Sequence, residues 1–227
     1  MKREAALLAG LLLASAGARA QDAAPREELD FVPPPPGTYN LQHIIAAPRG
    51  TVLDVQGRPS PLSRFTTGKV TVLSFIYTRC GDGTGCPLAS HLLQRLKASA
   101  DRDPEVSRAV RFVSLSFDPD NDTPEAMRAY GGGYVTDDTG LPWHFLTTRS
   151  RSALRPLLQG FGQDVWTTRD SSSAEAGALS HVLKVFLIDR HGSVREIYST
   201  SFLRTQIVLN DIKTLLLEEN SNARAPP

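Results

Sequence analysis

The chain has 227 residues, of which 41% are hydrophobic and 22% charged, with a formal net charge of +1. That length buries a core without staples, the composition is that of a folded chain, and the near-zero charge offers no electrostatic case for nucleic acid. The two cysteines, Cys80 and Cys86, exclude a disulfide-rich scaffold and a four-cysteine zinc or iron-sulfur site, so any cysteine chemistry rests on one pair.

Lys2 and Arg3 precede a largely apolar run from Ala5 to Gly17, and Ala18-Arg19-Ala20 supplies small residues where a signal peptidase reads. Residues 1–20 are therefore expected to be a cleaved secretory signal, which makes the protein periplasmic or otherwise exported. An uncleaved anchor is the alternative, but the run falls short of the roughly 20 residues a bilayer span needs, so no intrinsic membrane span is expected after cleavage. Loss of Lys2, Arg3, Arg19 and Glu4 takes the net charge from +1 to −1. Outside the cytosol disulfides persist, and a dithiol there must be kept reduced or metal-bound.

Residues 21–37 are polar and end in Pro33-Pro34-Pro35-Pro36, which predicts an extended spacer. Residues 38–219 read as one α/β domain, and 220–227 as a flexible polar tail. Val52-Leu53-Asp54 and Gln56-Gly57-Arg58 predict a strand and turn of a small hairpin. Val70 to Tyr77, rich in β-branched and aromatic residues and apolar on both faces, predicts a buried central strand. Cys80 follows it, and Cys86-Pro87 opens a helix with Leu88, Leu92, Leu93 and Leu96 on one face. A second core strand is expected from Val110 to Phe117, then a helix capped by Thr123-Pro124-Glu125. Trp143 to Leu146 predicts a short strand, and Ser150 to Phe161 a helix ended by Gly162, with Pro156 kinking it or delaying its start. A strand from His181 to Ile188, the turn Asp189 to Gly192, a strand from Val194 to Tyr198 and a helix from Thr205 to Glu218 complete the chain.

A cysteine just past a central strand and another at a helix N-terminus are placed for chemistry, because the helix dipole favours the thiolate, both nucleophile and metal ligand. Five residues separate them, and the three glycines among Gly81-Asp82-Gly83-Thr84-Gly85 let the loop bend both sulfurs toward one point. The pair reads as a redox-switching disulfide, as two thiolate ligands, or as a permanent disulfide closing a surface loop. Of the five histidines, His43 and His191 read as solvated. His91, five positions after Cys86, lies roughly 140° around the helix from it. His144 reads as a hydrogen-bonded neighbour on its strand. His181 stands at a strand mouth, where a polar side chain either caps the strand or faces the loops that carry active groups.

Several motifs together resemble the Sco/SenC family of cytochrome oxidase copper-assembly proteins: Gly68-Lys69 with its strand, Tyr77-Thr78-Arg79-Cys80, Cys86-Pro87, Ser116 through Glu125, Trp143 to Thr147, and Ser180-His181 leading to Leu187-Ile188-Asp189. The resemblance runs from about Gly57 to the C-terminal helix. It implies a thioredoxin-like fold, a central mixed β-sheet flanked by helices with an inserted β-hairpin. It also implies Cys80, Cys86 and His181 as copper ligands, with Asp118 matching a carboxylate near the site that orients a loop or tunes the metal; turn chemistry is the other use of Asp118-Pro119. The family usually separates its cysteines by three residues, and this chain departs from that spacing.

Two thiolates and an imidazole form a soft, low-coordinate set suited to Cu(I), while zinc accepts the same donors with water as a fourth ligand. Copper, as Cu(I) or Cu(II), is the expected metal, and the expected partner is a copper-enzyme client such as a cytochrome oxidase subunit. The functional expectation is a periplasmic metallochaperone rather than an enzyme in the strict sense. The alternative is a thiol-disulfide oxidoreductase that uses Cys80 and Cys86 catalytically to keep a client's copper-ligand cysteines reduced, although its spacing is not Cys-x-x-Cys. Thr78 near Cys80 gives a weak signal for a third reading, a peroxide-reducing thiol protein.

Overall fold

The structure, a computed structural model, describes residues 31–79, 86–135, 140–163, 165–167, 179–181, 184–199 and 202–224; at 86–88, 165–167, 179–181 and 222–224 the backbone alone is described. The expected signal peptide, the first part of the proline-rich spacer and residues 225–227 lie outside the described residues.

The strand β1 (Ile45–Ala46) is followed by the predicted hairpin, β2 (Thr51–Leu53) and β3 (Pro59–Pro61). Its turn is held by Asp54, whose Oδ1 accepts from the backbone N–H groups of Gln56 and Arg58. The short helix α1 (Ser63–Thr66) leads into β4 (Val70–Ile76), all seven residues of which are buried. Next come α2 (Cys86–Ala100) and α3 (Pro104–Ala109), the latter capped by Asp103, which accepts from the N–H groups of Glu105 and Val106. The strand β5 (Val110–Ser116) runs parallel to β4, with Val70 opposite Val110 and Ile76 opposite Ser116. The helix α4 (Pro124–Gly131) starts where predicted, Thr123 Oγ1 accepting from the N–H of Ala126 at 3.2 Å.

After a 3-10 turn (Gly132–Val135), β6 (Trp143–Leu146) pairs parallel to β5. The helix α5 (Arg151–Phe161) begins at its Ser150 cap and continues through Pro156, so the proline does not delay it; Gly162, at φ +61°, provides the left-handed cap that a side chain would resist. The remaining elements are β7 (Val165–Thr167), β8 (Leu179–His181), β9 (Val185–Ile188), β10 (Ser193–Tyr198) and α6 (Thr205–Arg224).

Six strands form one mixed sheet in the order β1-β10-β9-β4-β5-β6, with β4, β5 and β6 parallel and the others antiparallel. One face buries Val70, Val72 and Ile76 against Leu92, Leu93 and Leu96 of α2 and Val208, Ile212 and Leu215 of α6. The other buries Leu73 and Phe75 against Leu154, Leu157 and Phe161 of α5, where Phe75, Phe161 and Phe186 meet at ring-centroid distances of 4.9 to 6.0 Å. Ser114 satisfies the polar atoms inside the sheet, meeting Ser74 Oγ at 3.2 Å and accepting from Trp143 Nε1 at 3.0 Å. With helices on both faces and the β2–β3 hairpin beside it, this is the expected thioredoxin-like α/β fold. Among the described residues no helix is long and apolar enough to cross a membrane.

Three segments differ from expectation. The single strand expected from His181 to Ile188 is two: His181 ends β8, opposite Val165 of β7, and β9 begins at Val185 on β4. Lys184 interrupts the apolar run just before β9, where the pairing partner has changed. The last helix continues past Glu218 to Arg224, taking in residues 220–224 that read as tail. The end of the proline-rich stretch is fastened to that helix, because Asn210 Nδ2 donates to the Pro34 carbonyl at 2.9 Å and the Gly37 N–H donates to Thr214 Oγ1 at 3.0 Å. Tyr39 and Tyr198 donate to the two carboxylate oxygens of Asp211 at 2.6 and 2.7 Å, and Arg195 donates to the carbonyls of Leu41 and Gln42 while pairing with Asp189 and Glu218.

Candidate metal centre

From the end of β4 the chain passes through Tyr77, Thr78 and Arg79 toward Cys80, and Cys86 is the first residue of α2. In sequence a central strand is therefore followed by the N-terminus of a 15-residue helix. The unpaired first-turn N–H groups of such a helix favour a thiolate at its first residue. Cys80, the loop carrying Asp82, and the side chains of Cys86 and His181 lie outside the described residues.

The described wall of the site comes from the adjacent end of β5. The Phe117 N–H donates to the Ile76 carbonyl at 3.0 Å, which extends the parallel pairing and sets the stretch Asp118 to Asp122 beside Tyr77 to Arg79. Asp118 is buried. Its carbonyl accepts from the N–H groups of Asn121 and Asp122, and its Oδ2 accepts from Asn121 Nδ2 at 2.8 Å, so the turn chemistry expected of Asp118-Pro119 is present. The same carboxylate also faces two exposed guanidinium groups, Arg79 Nη2 at 3.8 Å from Oδ2 and Arg151 Nη2 at 3.9 Å from Oδ1. Arg79 directly precedes Cys80 in the sequence.

Asp122 was not among the residues singled out from the sequence. It has no exposed surface. Its carboxylate accepts from Thr78 Oγ1 at 2.6 Å, from the Thr78 N–H at 3.2 Å to both oxygens, and from Ser116 Oγ. Burying a carboxylate is costly unless it is fully hydrogen-bonded, and these donors satisfy it. Thr78 thus spends its hydroxyl on holding the last residues before Cys80 against β5.

Four histidines have described surroundings. His43 Nδ1 lies 3.0 Å from Ser193 Oγ, His91 is exposed on α2, and His191 sits in the Asp189–Gly192 turn, its N–H donating to Asp189 Oδ1 at 3.0 Å. His144 packs its ring edge-on against Phe65 at 5.1 Å, and burial, reinforced by the charges of Arg111, Arg64 and Lys69, pushes its pKa down to about 4. Among the described residues no three His, Cys, Asp or Glu side chains are grouped to hold a metal ion. The three expected ligands are not among the side chains described.

The family profile described as SCO1/SenC matches residues 51–217, a stretch that contains both cysteines and His181. A SCO1 protein homolog from Bacillus subtilis is 32% identical over 90 residues, which cover 38% of this chain and 42% of that protein, so the match spans less than half of its length. Among solved structures, a SCO1/SenC family lipoprotein from Bacillus anthracis superposes with a TM-score of 0.62 at 26% identity, covering 82% of this chain and 99% of the other. ScoI from Arabidopsis thaliana gives a TM-score of 0.62 at 18% identity, covering 77% of this chain and 99% of the other, a likeness of fold alone. On the family match, which takes in five of the six strands of the central sheet, the cysteine pair and the histidine that ends β8, the chain belongs to the SCO1/SenC family.

Proposed function

We propose that this protein is an exported copper carrier that delivers copper to, or matures the copper site of, a cuproenzyme such as a cytochrome oxidase, with Cys80, Cys86 and His181 as the ligands. The observation that carries this reading is the family match across residues 51–217, combined with the position of Cys86 as the first residue of α2 at the end of the β4 connection. The Arabidopsis thaliana relative was solved with copper bound.

The donor chemistry fits the cargo. Two thiolates and one imidazole make a soft set that suits Cu(I) and leaves the ion three-coordinate, so an incoming thiolate or imidazole of a client can join before a ligand leaves. Asp118 and Asp122 act on the protein side. Asp122 holds Thr78 and with it the approach to Cys80, and Asp118 restrains Arg79 next to it. The reading requires the pair reduced, because a Cys80–Cys86 disulfide has no thiolate to offer. The test is anaerobic titration of the reduced mature protein with Cu(I) against a competing chelator; an affinity no better than that of a generic two-thiol peptide overturns the reading.

The helix-terminal position of Cys86 also supports a second reading, thiol-disulfide exchange on a client. In that reaction a thiolate of the pair attacks a client disulfide sulfur, one client thiolate leaves and a mixed disulfide forms. The second cysteine attacks that bond, forming Cys80–Cys86 and releasing the second client thiol, so two electrons pass to the client. His181→Ala separates the readings: loss of an imidazole weakens Cu(I) binding under the first, and under the second it raises the alkylation pKa of the cysteines while leaving metal affinity unchanged.

A further inference from the structure

The parallel strands β4, β5 and β6 end along one edge of the sheet, and each leads into a charged segment there. Arg79 follows β4 and directly precedes Cys80, Asp118 and Asp120 follow β5, and Arg149 and Arg151 follow β6. Pairing of Ile76 with Ser116 and of Leu115 with Leu146 sets the three continuations side by side. Asp118 shows the result, since Arg79 Nη2 and Arg151 Nη2 flank it at 3.8 and 3.9 Å from its two carboxylate oxygens. The carboxyl ends of the strands are where open α/β sheets meet their ligands.

The arginines of this edge are incompletely neutralised. Both distances to Asp118 exceed hydrogen-bond length, and its buried Oδ1 has no hydrogen-bond partner. Arg151 pairs with Asp120, Nε to Oδ2 at 2.6 Å. Arg149 and Arg155 are exposed and pair with no carboxylate among the described residues. Arg155 stands one turn beyond Arg151 on the same face of α5, and like charges four positions apart destabilise a helix. Arg149 and Arg151 flank the Ser150 cap at the positive end of the helix dipole, where the first turn has no acidic residue to offset them. These placements cost the isolated chain stability, and an anionic surface laid on the edge relieves the repulsion.

The exposed large apolar side chains, Phe31, Val32, Ile44, Phe202 and Leu217, all lie outside these segments. A membrane-binding face buries apolar side chains among the lipid headgroups, whereas this edge interleaves its arginines with Asp118 and Asp120. That mixture fits a protein surface, on which single carboxylates meet single arginines.

We propose that Arg79, Arg149, Arg151 and Arg155 form a docking surface for an acidic face of the client protein. The proposal rests on the copper-delivery reading for what the client receives. Long-range attraction speeds the encounter and fixes the orientation, so the client is held against the chain that leads into Cys80.

The test uses the full mature chain, reduced and metal-free, with a capped hexaglutamate peptide as the probe and NMR of the arginine Nε–H and backbone groups as the readout. Saturable shifts are expected at the four arginines, with binding weakening as salt rises from about 20 to about 200 mM. Arg149→Ser/Arg155→Ser is expected to raise the peptide Kd about fivefold, two exposed ion pairs being lost. Its urea midpoint is expected to equal or exceed the parent's, because the repulsion along α5 is relieved. Arg102→Ser/Arg108→Ser removes the same charge from exposed positions just ahead of β5, at the other end of the strands, and is expected to change the Kd by less than about twofold.

The proposal is overturned by non-saturable shifts, by an equal loss in both double variants, or by a lower urea midpoint in Arg149→Ser/Arg155→Ser. Binding to phosphatidylglycerol vesicles at about 150 mM salt that the same variant abolishes would also overturn it, in favour of a membrane. A parent that fails the Cu(I) titration but passes this test loses the copper reading and keeps the acidic partner.

Discussion

Thr78 Oγ1 donates to Asp122 Oδ1 at 2.6 Å, which ties the residue two positions before Cys80 to a carboxylate with no exposed surface in the turn that follows β5. The bond joins the segments that follow β4 and β5, so its removal acts on the fold there and, under the proposed function, on the chain leading to Cys80.

Asp122→Ala leaves the Thr78 N–H, the Thr78 hydroxyl and the Ser116 hydroxyl without their acceptor, and a cost of about 3 kcal/mol or more is expected from unpaired buried donors. Asp122→Asn keeps one carbonyl oxygen for Thr78 and is expected to cost about half as much. Urea denaturation of the reduced protein measures both. Cu(I) affinity is expected to fall in the same order, alanine below asparagine below parent, measured where each variant is folded.

The N-terminal segment is fastened to α6 through Asp211. Burial raises the Asp211 pKa, and burial with the Asp211 hydrogen bond pushes Tyr39 up to about 12. Tyr198→Phe leaves a carboxylate oxygen in the interior without its donor and is expected to cost about 1–3 kcal/mol. Tyr39→Phe, at a half-buried position, is expected to cost about 1 kcal/mol or less. Equal midpoints for both variants and the parent in thermal unfolding would contradict the clamp.

His144 gives the fold a pH dependence of definite sign. Its folded pKa of about 4 lies below the usual 6.5, so between these values the unfolded chain binds the extra proton. The stability associated with the neutral imidazole is complete above pH 6.5 and is lost as the pH falls toward 4, a change on the order of 3 kcal/mol. His144→Phe, which keeps a ring against Phe65, is expected to flatten the stability profile across that window; an identical slope in parent and variant would contradict it.

Much of this fold was legible because apolar runs and caps are local. β4 and β5 are rich in β-branched and aromatic residues, α4 opens on Thr123-Pro124-Glu125, and α5 runs from its Ser150 cap to Gly162. The same cap grammar stands at Asp103-Pro104-Glu105, where α3 went unread although the signal was present. The sequence reads His181 into the strand that holds β9, although Lys184 breaks the apolar run at the point where β9 begins.

Asp122 was illegible for a different reason. An aspartate-rich stretch reads as a solvated turn, and only the parallel register that sets Ser116 opposite Ile76 buries it against Thr78. Arg111 and the Arg64 carbonyl it donates to are likewise far apart in sequence and meet because β4 follows α1 and pairs Thr71 with Arg111.

The central claim is that Cys80, Cys86 and His181 act together as copper ligands. Its most direct test is anaerobic Cu(I) titration of the reduced mature protein and of His181→Ala against a competing chelator, with urea denaturation as a check on the variant's fold. The predicted result is one Cu(I) bound by the parent far more tightly than by a generic dithiol, and an affinity about tenfold or more weaker in His181→Ala, one metal bond being lost. A folded His181→Ala variant that binds Cu(I) as tightly as the parent, with a raised alkylation pKa at its cysteines, would contradict the claim and point to thiol-disulfide exchange.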